Sequence, residues 1–251
     1  MRTIALSALD LPLFERPARA TSYPESSPNA VAAVALLRNR ALEYRDIYNS
    51  RMNKNGFGLL FACALLAGAS SAGDAGQGAQ KAAVCGACHG MTGNSINPEW
   101  PNLAGQPEAY VVTQLKAFKE GSRVNPLMTP MAVALSEKDM EDLGAHFSQQ
   151  TPTGLDADPS TWKAGEKLYR GGDREREIPA CIACHGPQGR GNGPAGYPAL
   201  RAQHAVYAYA QLKAFKDGTR KSAGSDIMAA VTDRMTDTEM RALASYLQGL
   251  R

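Results

Sequence analysis

Aromatic side chains are scarce in this chain of 251 residues: six phenylalanines, nine tyrosines and two tryptophans, 7% in all. There is room for one or two domains, but little aromatic bulk from which to build their cores. An excess of one charge is also lacking. Twenty-seven Lys/Arg face 24 Asp/Glu for a net charge of +3. No basic stripe with interleaved aromatics appears, which argues against nucleic acid as a partner. The apolar run over residues 57–67 is too short to span a bilayer as a helix. Alternating strand patterns of useful length are missing as well. Histidine numbers four and cysteine five.

Four of those five cysteines stand in two copies of one pattern. "AVCGACHG" covers residues 83–90 and "PACIACHG" residues 179–186. Each copy is C-x-x-C-H. At this cysteine content one chance copy has a probability of about two in a thousand, so two copies make accident negligible. A zinc site needs four ligands per metal and each copy offers three, although the two copies together could form a shared Cys/His cluster. A thioredoxin-like pair expects a βαβ setting, and no strand-rich segment surrounds either copy. Two disulfide-like pairs are a further rival. The reading that uses every residue is covalent c-type haem attachment. Cys85 with Cys88, and Cys181 with Cys184, would bond the haem vinyl groups from one side of a helical turn. His89 and His185 would then lie under the irons. Two bound haems would supply the apolar bulk that the aromatics do not.

The segment from Met52 carries Lys54, the apolar run and the small residues "ASSA", which reads as a secretory signal with cleavage near Ala72. Cys63 lies inside it, and a lipid anchor there is disfavoured by Phe61 and by the early position. Residues 1–51 read as a start assigned too early or as a disordered extension, and they are excluded from fold reasoning. Export suits the cofactor, because thiols bonded to haem cannot be scrambled in an oxidising compartment.

Beyond the signal the chain is an internal duplication. "YVVTQLKAFKEGSR" (residues 110–123) returns as "YAYAQLKAFKDGTR" (207–220), and "PNLAGQ" (101–106) as "PALRAQ" (198–203). "LSEKDMEDLGAHF" (135–147) returns as "MTDTEMRALASYL" (235–247). The expected organisation is an extension at 1–51, a signal at 52–72, one lobe at 73–153 and a second at 154–251. The join falls in the Pro/Gly/Asp stretch around residues 150–160. Both lobes read as all-α. Val111, Leu115 and Phe118 recur at helical spacing and Gly121 can end that helix; Leu212, Phe215 and Gly218 repeat the arrangement. Ser136 with Asp139, and Thr236 with Glu239, predict capping boxes. Met140, Leu143 and Phe147 form an apolar stripe. Shorter helices are expected near residues 76–84 and 162–169, with roughly half of each lobe in loops.

A second axial ligand decides between carrier and catalyst. His146 and His204 have Tyr246 and Pro107 as their repeat partners, so neither position recurs as histidine. Methionine is the better candidate, in the loop before each last helix: Met128 or Met131 in lobe one, Met228 in lobe two. With Leu135 aligned on Met235, Met128 falls on Met228 without a gap and Met131 falls on Val231. That selects Met128 and leaves Met131 as apolar packing beside the haem. A thioether favours reduced iron, and an iron with two protein ligands is closed to substrate, so electron transfer is expected and no catalytic residue.

The paired C-x-x-C-H lobes, the Q-L-x-x-F-x-x-G-x-R helix in both copies and the terminal "LASYLQGL" resemble the dihaem cytochrome c4 family over about residues 73–251. The resemblance implies two tandem cytochrome c-type haem domains with two covalently bound haem c groups. It implies His/Met ligation by His89 with Met128 and His185 with Met228. It further implies Pro101 and Pro198 as carbonyl partners of the axial imidazoles. A periplasmic carrier is the expected role, moving single electrons from a quinol-oxidising complex or other donor to a terminal cytochrome c oxidase. The sequence does not separate a diffusing carrier from a peripherally membrane-associated one, or from the cytochrome subunit of a larger dehydrogenase or oxidase. A haem peroxidase is the less favoured alternative. Residues 73–155 carry five Lys/Arg and eight Asp/Glu, and residues 156–251 fourteen and eleven, a dipole that could orient docking. Arg123 and Arg220 occupy equal repeat positions and are candidates for pairing with haem propionates.

Overall fold

The computed structural model describes residues 73–251. The extension, the export signal and Cys63 lie outside the described residues. Among the described residues regular structure is helical, apart from single antiparallel bridges joining Asp173 to Ile178 and Asn192 to Tyr197. Lobe one contains α1 (Ala75–Lys81), α2 (Ala83–His89), α3 (Glu108–Glu120), α4 (Met128–Val133) and α5 (Glu137–Ser148). Lobe two contains α6 (Trp162–Gly171), α7 (Ile182–His185), α8 (Ala205–Lys216), α9 (Ser225–Asp233) and α10 (Asp237–Gly249).

Local chemistry sets most boundaries. Asp74 caps α1 by accepting from the backbone N–H of Gly76 and Gln77. Ser136–Asp139 and Thr236–Glu239 both form the expected reciprocal boxes at the starts of α5 and α10. Gly121 ends α3 in the left-handed region at φ 77°. Two expectations are corrected. The opening segment of lobe one is two helices, broken at Ala82, and not one. The stretches carrying the candidate methionines are helices α4 and α9 and not loops.

In each lobe the last helix packs against the first and against the long middle helix. The crossing requires glycine. A Cβ on Gly78 would sit 2.0 Å from the carbonyl oxygen of Asp142, and one on Gly165 2.1 Å from that of Ala242. Asp142 and Ala242 are repeat equivalents, so both lobes close by the same backbone-to-backbone contact. The stripe Met140, Leu143 and Phe147 is buried, as is its copy Met240, Leu243 and Leu247. At the crossing lobe two buries Ala242, whereas lobe one buries the carboxylate of Asp142. That carboxylate accepts from Asp74 N at 2.7 Å and Lys81 Nζ at 2.7 Å, and pairs with Lys138 at 3.0 Å.

The lobes meet along a polar seam. Arg123 donates to Gln114 in its own lobe and to Tyr207 and Gln211 in the other. Arg220 donates to Gln211 in its own lobe and to Tyr110 and Gln114 in the other. Each guanidinium also stacks on a phenylalanine of its own lobe, Phe118 or Phe215, 4.5 Å from the ring centre. Both arginines are buried. They are interface residues, at positions that the sequence made candidates for pairing with haem propionates. Burial opposes ionisation of Tyr207, but the two facing guanidiniums bring its phenol below the ordinary tyrosine range.

Candidate haem sites

Each C-x-x-C-H lies on a single helical turn. Cys85, Cys88 and His89 end α2; Cys181 is the N-cap of α7, and Cys184 and His185 end it. Each helix stops immediately after its histidine. Gly90 and Gly186 do this at φ 78° and 79°, a conformation that opposes any other residue. A Cβ on Gly90 would also lie 2.0 Å from the Asn94 carbonyl oxygen. The glycine after each histidine is thus part of the motif's geometry.

The four cysteines are free thiols and form no disulfide. Burial raises the Cys85 thiol pKa and takes that of Cys181 to about 11, so neither is a resting thiolate. Among the described residues no three His, Cys, Asp or Glu side chains converge on a metal-sized site. The two copies do not come together as a shared Cys/His cluster among the described residues.

Both motif histidines, His89 and His185, are buried and anchored alike. The Nδ1 of His89 lies 2.8 Å from the carbonyl oxygen of Pro101, and that of His185 3.0 Å from Pro198. A carbonyl can only accept, so Nδ1 carries the proton and Nε2 keeps its lone pair. Burial holds both imidazoles below the ordinary histidine pKa even though these carbonyls pull the other way. The result at each site is a neutral, oriented imidazole beside two free thiols. That donor set fits haem attached through sulfur.

Met128 opens α4 and Met228 lies in the first half of α9; both are half-buried. Met228 packs on the lobe-two core alongside Cys181. Met131 is 41% exposed, whereas its repeat partner Val231 packs on the core. The backbone at each methionine is held by residues that the sequence reading did not single out. Asn125 Oδ1 accepts from the N–H of Leu127 and of Met128. The fully buried Thr232 donates its hydroxyl to the Met228 carbonyl at 2.8 Å. An Asn three residues before a helix and a Thr four residues after the methionine were the available signals. The remaining histidines are engaged elsewhere. His204 Nε2 donates to Ser95 O at 2.8 Å across the seam, and the His146 ring meets Phe147 edge-on at 5.1 Å.

Two haem-attachment turns with carbonyl-anchored histidines, each in an all-α lobe, define a c-type cytochrome with two haems. The cytochrome c family matches residues 74–150 and 163–251. Cytochrome c4 of Azotobacter vinelandii is 43% identical over 209 residues, covering 79% of this chain and all of that protein. The solved structure of reduced recombinant cytochrome c4 from Pseudomonas stutzeri aligns with a TM-score of 0.70 at 46% identity, covering 72% of this chain and all of that one. A protein of Thiomonas intermedia named thiosulfate dehydrogenase electron acceptor is 44% identical over 172 residues, 66% of this chain and 78% of its own length. The chain belongs to the cytochrome c4 family. It is a dihaem electron-transfer protein with two tandem cytochrome c domains and two covalently bound haem c groups.

Proposed function

We propose that Cys85 and Cys88 hold one haem with His89 and Met128 as its axial ligands, and that Cys181 and Cys184 hold the other with His185 and Met228. The domains are then 73–153 and 154–251. The observation that carries this reading is the duplicated arrangement itself: a carbonyl-anchored imidazole in each lobe, and a half-buried methionine at equal repeat positions. Haem held in this way supplies reversible one-electron chemistry, and thioether ligation favours the reduced state. The chain's part is to orient the imidazoles through Pro101 and Pro198, to close both coordination positions and to keep the haems attached. With both positions filled there is no place for substrate, so the protein is a carrier and not an enzyme.

The protein works after export, in the periplasm, with the mature chain starting close to Gly73. It takes electrons from a quinol-oxidising complex or another donor and passes them to a terminal cytochrome c oxidase. A second reading, as the acceptor partner of a dehydrogenase, is supported by the relative named a thiosulfate dehydrogenase electron acceptor. Mass spectrometry of the mature protein is expected to show two haem masses retained through acid-acetone extraction, and a first residue at or near Gly73. The reduced protein is expected not to bind carbon monoxide. One haem, or tight carbon monoxide binding, would overturn the reading. Native size-exclusion chromatography separates a free carrier from a bound subunit.

A further inference from the structure

The repeated segments "PNLAGQ" and "PALRAQ" share Pro, Leu and Gln at equal positions. The prolines hold the axial imidazoles. The glutamines, Gln106 and Gln203, are both buried, and each pairs with a backbone amide of the opposite lobe. Gln203 Oε1 accepts from the N–H of Asn102 at 2.9 Å, and its Nε2 donates to the Asn102 carbonyl at 3.0 Å. Gln106 Oε1 accepts from the N–H of Ala199 at 3.1 Å, and its Nε2 donates to the Ala199 carbonyl at 2.8 Å. Because each amide pairs at both ends, donor and acceptor partners fix which end is oxygen.

The consequence lies in which peptide is touched. The Asn102 N–H and the Pro101 carbonyl belong to one peptide unit, as do the Ala199 N–H and the Pro198 carbonyl. Each unit therefore accepts from an axial histidine at its oxygen and donates to a glutamine of the opposite lobe at its nitrogen. The two ends of a peptide are conjugated, so a bond donated by the N–H leaves more negative charge on the oxygen. Hydrogen bonds in such chains strengthen one another by roughly 10–30%. A stronger carbonyl acceptor draws on the Nδ1 proton, makes the ring more electron-rich and favours the oxidised metal.

We infer that Gln106 and Gln203 are positioning residues that tune the redox centres crosswise: Gln203 of lobe two acts on His89 of lobe one, and Gln106 of lobe one acts on His185 of lobe two. This rests on the axial roles given to the two histidines above. Gln203 Oε1 also accepts from His204 N at the start of α8, whereas Gln106 pairs with Ala199 alone, so Gln106 is the cleaner site to alter.

The test uses the reduced holoprotein and its variants Gln106→Met, Gln106→Glu and Gln203→Met. Two quantities are read for each haem: the NMR resonance of the axial histidine Nδ1 proton, and the midpoint potential. Gln106→Met is expected to shift the His185 proton upfield and raise that haem's potential, with His89 and its haem unchanged. Gln203→Met is expected to give the mirror image. Gln106→Glu keeps an acceptor oxygen and is expected to hold the His185 proton at or downfield of its original position. Effects confined to the glutamine's own lobe, equal effects at both haems, equal shifts for Met and Glu, or no shift would each overturn the inference. Failure of the axial assignment would look different. The unaltered protein would then lack the iron–thioether absorption band or show a histidine other than His89 or His185 on the iron.

Discussion

At the scale of one residue, the proposed choice of Met128 as ligand turns on the backbone around it. Asn125 ties the N–H of Met128, while Met131, one turn on, is 41% exposed. The gap-free repeat alignment and the half-burial of Met128 and Met228 select the same residue. Met128→Leu is expected to abolish one haem's share of the weak absorption band near the red edge of the visible spectrum and to lower that haem's potential. Met131→Leu is expected to leave both unchanged. The same band read in Asn125→Ala should weaken on warming before it does in the unaltered protein, because two N–H groups at the start of α4 lose their acceptor.

Among the elements, the first and last helices of lobe one are locked by a buried carboxylate. Asp142 receives Lys81 and the Asp74 N–H, and these hold its pKa well below the ordinary 3.8. Stability from such a group is fully present above the unfolded value, and is lost as pH falls through the lower folded value. Asp142→Asn should therefore lower the melting temperature at neutral pH. The gap to the unaltered protein should narrow as pH falls below 3.8, which thermal melts across that range measure. Legibility followed from how local each determinant is. Both capping boxes, the stop at Gly121 and the α5 stripe are readable because their partners lie within four residues. The break at Ala82 and the helices α4 and α9 were not, since Pro126, Pro130 and Gly224 signal loops and short helices depend on packing. The haem turns were fully legible as a motif. Of their supports, the carbonyl anchors Pro101 and Pro198 came from family resemblance, while Asn125 and Thr232 escaped notice. The roles of Gln106, Gln203, Tyr110 and Tyr207 were out of reach, because each is completed by a residue 84 to 110 positions away.

For the whole molecule, the seam determines whether the two lobes behave as one. Arg123 and Arg220 share the oxygens of Gln114 and Gln211, and removing both cations takes these donors from the buried Gln114 and the half-buried Gln211. Each such loss costs about 1–3 kcal/mol. Arg123→Met with Arg220→Met is expected to split the calorimetric unfolding of the holoprotein into two transitions, one per lobe. A single transition at the original temperature would show that other contacts couple the lobes. The contacts along the seam have a further property. Tyr110, Gln114 and Arg123 of one lobe meet Tyr207, Gln211 and Arg220 of the other, and each residue meets the repeat image of the residue that meets its own image. One lobe therefore carries both halves of the recognition, as a subunit of a twofold homodimer does. The stretch at residues 150–160 turns what would be a second-order association into an intramolecular one, at an effective concentration that no dilution can lower. A polar seam too weak to hold free subunits together is sufficient once both copies share a chain, and the two redox centres keep a fixed stoichiometry of one to one.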